Sequence, residues 1–80
     1  MFYVRMIDKF MSGWGKARGM RSVYVVVCDT YEQAEQIERA AQRRPEMTRI
    51  TISETRPRTR KNQRLDFTKY ADMGGPWLAP

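Results

Sequence analysis

Residues 22–45, SVYVVVCDTYEQAEQIERAAQRRP, set a run of strand-forming side chains directly against a capped helix pattern that a proline ends. Seven residues, four of them valine, suit a central strand covered on both faces or buried by a partner. Asp29 or Thr30 then supplies an N-cap oxygen, with Glu32 or Gln33 at the spacing of a capping box. Tyr31, Ala34, Ile37 and Ala41 recur close to one apolar stripe, and the spacing predicts a helix over roughly 31–44. Glu32, Glu35 and Glu38 sit early and Arg39, Arg43 and Arg44 late, matching the helix dipole, with Glu35 and Arg39 at i, i+4 spacing. Pro45 stops the helix because it pushes its predecessor out of the α region.

Alternating segments flank this unit. In MFYVRMIDKF, Phe2, Val4, Met6 and Phe10 share one side, with Tyr3, Arg5, Ile7 and Lys9 on the other, the pattern of a half-buried strand. MTRITISE (47–54) turns Ile50 and Ile52 inward, and LDFTKY (65–70) alternates through Leu65 and Phe67. The expected fold is one α+β domain over residues 1–80: β-β-α-β-β, a small antiparallel sheet with one helix packed on one face. A helix linking strands 2 and 3 in one sheet makes them run parallel. That places the first hairpin loop, the helix C-terminus and the tail at one end, and the 55–64 segment at the other.

Eighty residues leave room for one modest core and no deep enclosed pocket. A single cysteine excludes an internal disulfide, and the absence of histidine removes imidazole chemistry. Cys28, inside the valine run, reads as a buried, inert thiol. Asp8, Asp66 and Asp72 are scattered, with no paired nucleophile and no zinc pattern, so neither an enzyme nor a metal or other cofactor is expected. No stretch has the length of a membrane span, and the N-terminus lacks the apolar core of a signal peptide. The chain is read as cytoplasmic. Fifteen Lys and Arg against nine Asp and Glu give a net charge of +6, which favours polyanionic partners and argues against a DNA mimic.

Two segments carry the cations. In MSGWGKARGMR (11–21) the spacing G-x-G-x-x-x-G leads into a strand, and Ala17 follows Gly15-Lys16, so neither a dinucleotide fingerprint nor a Walker loop is present. Gly13 and Gly15 instead allow a turn that presents Trp14. Trp14 either caps the edge of the core or anchors a partner; Trp77 divides the same way, between tail docking and an interface. Trp14, Lys16, Arg18, Arg21, Arg43 and Arg44 form the candidate partner-binding patch, with Trp77 beside it. TRPRTRKNQR (55–64) carries Arg56, Arg58, Arg60, Lys61 and Arg64 without an acid, a candidate surface for nucleic acid or an acidic protein face. It holds no aromatic side chain for bases to stack on, which argues against sequence-specific readout.

YVRMIDKFMSGWGKARG, the valine strand, YEQAEQIERAAQRRPEM and the terminal GGPW together resemble a group of small phage and prophage proteins with a DKFMSGWG…GGPW pattern. Their size and layout are similar to anti-CRISPR proteins acting on type I effector complexes. The resemblance implies a phage-encoded, non-enzymatic inhibitor in the host cell that docks on such a nucleoprotein complex and blocks target-DNA binding. The chain's basic balance departs from acidic DNA-mimicking inhibitors. The alternatives are a small basic phage protein that binds nucleic acid directly, and a structural protein whose charge serves solubility.

Overall fold

The computed structural model describes residues 1–8, 21–58, 60–61 and 63–74. Its elements follow the order β1 (Phe2–Asp8), β2 (Arg21–Cys28), α1 (Tyr31–Gln42), β3 (Met47–Ser53) and β4 (Gln63–Lys69), closed by a 3₁₀ turn at Tyr70–Asp72. The four strands form one sheet in the order β3-β1-β2-β4. β1 pairs antiparallel with both β2 and β3, placing Val4 opposite Val26 and Ile52.

The helix begins as its residue types dictate. Thr30 is the N-cap: its Oγ1 accepts the Gln33 N–H at 3.2 Å, and Gln33 Oε1 accepts the Asp29 N–H at 2.9 Å. The reciprocal pair satisfies two donors at the helix start that would otherwise lack partners. At the other end Arg43 is the C-cap, two residues before Pro45. Ala34, Ile37 and Ala41 are buried as the periodicity predicts, joined by Ala40. Tyr31 is not part of that stripe. It is 51% exposed and touches Phe2 edge-on, with ring centroids 5.4 Å apart. The Glu35–Arg39 spacing closes no ion pair; the described bridges are Arg44–Glu46 at 3.3 Å and Arg64–Asp66 at 3.9 Å.

Two apolar layers result. The helix packs on the face bearing Val4, Met6, Val26 and Cys28, with Ile50, Ile52 and Met73 at the margins. The opposite face carries Tyr3, Ile7, Val23 and Val25, with Val27 and Leu65 against them. β1 therefore has buried residues on both faces, Val4 and Met6 on the helix side and Tyr3 and Ile7 on the other, and is not half-buried.

One strand pair departs from the all-antiparallel expectation. β4 lies beside β2 and parallel to it, with Val25 opposite Phe67, so the sheet is mixed. Strands β3 and β4 then run in the same direction on opposite edges. They are joined by a crossover and not by a hairpin. Parallel crossovers keep one hand. The helix carries the chain from β2 to β3 on one face, so the return from β3 to β4, made in the opposite direction across the sheet, belongs on the other face. The described residues 54–58 and 60–61 lie along that return.

Two placements change as a consequence. The arginine-rich segment does not sit at the end beside the helix N-terminus; it straps the second face of the sheet. The chain after β4 starts at the helix N-terminal end, where Tyr70 Oη donates to Gln36 Oε1 at 2.6 Å and Met73 enters the helix-side core. It does not start at the end shared by the β1–β2 connection and the helix C-terminus.

Candidate functional site: an arginine-lined groove

The strap is shaped at both ends by residues suited to turning. Ser53 Oγ accepts the Thr55 N–H at 3.0 Å and donates to the Thr55 carbonyl at 3.3 Å, a local bond that bends the chain out of β3. The Gln63 N–H closes a second turn onto the Arg60 carbonyl at 3.1 Å and feeds the chain into β4. Between them Pro57 fixes its own φ. The strap, with a hydrogen-bonded turn at each end, forms one wall.

Between this wall and the sheet lies an open groove of about 760 Å³. Arg56, Arg58 and Arg60 line it from the strap, Arg5 from the centre of β1 and Arg49 from β3. Ile7, Pro57 and the Gln63 side chain complete much of the rest. No acidic residue lines it. All nine carboxylate side chains of the chain lie among the described residues. None of them forms an ion pair with any of the five groove arginines. Arg5 is half-buried and the other four are exposed.

Arg49 reaches this groove through an irregularity. The β1–β3 register slips between Arg5 and Ile7, where two residues of β1 span three of β3. The extra residue makes a bulge, and Arg49 takes φ 52°, the sole non-glycine positive φ among the described residues. Left-handed backbone costs an L-residue about 1–2 kcal/mol, and glycine would be the usual occupant of such a bulge. A second cost sits in the groove wall, where the buried Gln63 Oε1 has no hydrogen-bond partner.

Arg56, which lines the groove, also holds its guanidinium over the ring of Phe67, a β4 residue outside the lining, 4.2 Å from the ring centroid. Phe67 is 37% exposed on the second face. Read in sequence, 55–64 has no aromatic partner; the fold supplies one from β4. That pairing was not legible because it depends on the parallel β2–β4 register. Arg5 and Arg49 were likewise missed as site residues, since each looks like the outward position of an ordinary alternating strand.

The sequence-predicted residues separate into three groups. Arg56, Arg58 and Arg60 converge on the groove. Lys61 is exposed nearby in sequence, and Arg64 points its guanidinium at Asp66 on β4. Arg43 is exposed and Arg44 is bridged to Glu46, both at the helix end where β2 begins with Arg21. Trp14, Lys16, Arg18 and Trp77 lie outside the described residues, as does the rest of the 9–20 loop.

Cys28 is fully buried, and burial pushes its thiol up to about 11, with the neighbouring Asp29 charge adding to the shift. That thiol is a core residue. Among the described residues no helix is long and apolar enough to cross a membrane, and no cluster of three His, Cys, Asp or Glu residues is placed to hold a metal.

Fold and site define a small mixed-sheet α+β protein that carries, among its described residues, an arginine groove free of acids. No family model, curated protein or solved structure matches the chain.

Proposed function

We propose that this protein is a non-enzymatic nucleic-acid-binding module that takes a phosphate backbone into the arginine groove. The observation that carries the reading is the convergence of five arginines from three separate parts of the fold with no carboxylate to neutralise them. Arginine's planar fork matches phosphate oxygens bidentately, and like charges held together unpaired are relieved by an anion. The strap arginines are exposed, as they would be in a solvated loop, but they share one groove with Arg5 and Arg49 from the sheet.

The same groove serves the inhibitor reading. A phage-encoded protein of anti-CRISPR type would apply it to the nucleic acid held by a type I effector complex, obstructing target DNA there. The favouring observation is shared: the groove is complementary to a phosphate backbone whether that backbone is free or presented by a complex.

The test is charge reversal of Arg56, Arg58 and Arg60 to Glu, with fold checked by circular dichroism and melting. The parent protein is expected to bind a labelled oligonucleotide, and the folded triple variant to lose that binding. A folded triple variant with full affinity contradicts the proposal. An effector-complex assay run alongside separates the two settings. Loss of target-DNA binding by the complex, reversed by the same substitutions, supports inhibition.

A further inference from the structure

We infer that the groove takes a single strand, with one base joining the stack begun by Phe67 and Arg56; this rests on the phosphate-binding reading above. Three observations lead there. The arginine face is concave, lying between strap and sheet. A duplex presents its phosphates on a convex surface, whereas a single strand is thin enough to lie in a groove and turn its bases to the rim. Beside the groove the guanidinium of Arg56, a lining residue, already lies over the Phe67 ring at 4.2 Å, and Phe67 retains 37% exposure. Bases stack on aromatic rings and on guanidinium planes alike, tolerant of sequence because every base has a π-face.

The third observation concerns hydrogen-bond polarity. Gln63 Oε1 is a buried acceptor in the groove wall with no donor. A phosphate oxygen brings no donor and would worsen the deficit. A base amino group would relieve it once the wall yields enough to admit one, and in a single strand those amino groups are not occupied by pairing. A ligand anionic along one edge and aromatic along the other suits the groove arginines and the Arg56–Phe67 pair beside them. A nucleotide strand has that chemistry; a bare polyanion has half of it.

The experiment measures anisotropy of the full chain with three labelled probes: a mixed-sequence single-stranded DNA oligomer, its duplex, and an abasic oligomer with the same number of phosphates. Two conservative variants, Phe67→Leu and Arg56→Lys, remove the ring or the planar cation while keeping apolar bulk or charge. The parent protein is expected to bind the single strand about tenfold more tightly than either other probe. Each variant should lose about that tenfold advantage on the single strand and bind the abasic oligomer as the parent does. Equal or tighter binding of the duplex overturns the inference. So do variants that weaken the abasic oligomer and the single strand alike, or neither. If none of the three probes binds, the groove reading itself falls, which is a different result from binding without base preference.

Discussion

Arg49 concentrates the tension between stability and binding in one residue. Its left-handed backbone is a standing cost, and the bulge that requires it also brings its side chain to the groove. Arg49→Gly should raise the unfolding free energy by about 1 kcal/mol, the scale of the backbone penalty it removes. The same substitution should weaken oligonucleotide binding. Chemical denaturation and anisotropy on one preparation read both. A variant less stable than the parent would show that the arginine stem contributes more by packing than its backbone costs. Cys28 provides a residue-scale check on the core. Its folded-state pKa, raised to about 11, lies above that of an unfolded thiol near 8.5. The neutral thiol is favoured in the fold, so the associated stability is intact below about pH 8.5 and is lost as pH rises from there towards 11. Cys28→Ala should be less stable at neutral pH yet show a shallower decline over that window. Parent protein labelled rapidly by an exposed-thiol reagent at pH 8 would contradict the burial.

The helix was the element most legible in the sequence, and for a physical reason. Its signals are local: a threonine cap with glutamine three residues on, a stripe at helical spacing, and a proline stop. All are decided within a few residues of themselves. Ile37 sits fully buried in the helix-side core, so Ile37→Asp should destabilise the fold by several kcal/mol through an unpaired buried charge. Thr30→Ala should cost about 1 kcal/mol, read by the same denaturation curves. A near-unchanged melting temperature for Ile37→Asp would mean the helix packs by another face. Strand placement was less legible. The alternation of 65–70 identifies a strand, but nothing in LDFTKY states whether it pairs beside β3 as a hairpin or beside β2 in parallel. Edge choice is set by the crossover and by which apolar face needs covering. Those are long-range matters that no window of ten residues contains. The different starting point of the tail and the different path of the basic segment both follow from that one pairing.

At the scale of the whole molecule, a small sheet with two apolar faces has one helix to cover them. On the second face the described strap residues lie across the groove from Ile7, and an arginine there can cover apolar surface with its stem while its head stays in water. Composition disclosed the charge and the segment that holds it; only the fold shows that three strap arginines meet two from the sheet. The anti-CRISPR-type setting remains a proposal about where such a groove acts. The central claim concerns what the groove neutralises, and counterion release counts that directly. For a single strand, log K falls against log salt with a slope of about −0.7 for each phosphate neutralised. The deciding measurement is the salt dependence of oligonucleotide binding for the parent protein and for Arg58→Gln with Arg60→Gln. The account predicts a linear, steep decline for the parent, and a slope shallower by about 1.4 for the double variant. Binding that ignores salt, or a double variant with the parent's slope, would contradict it.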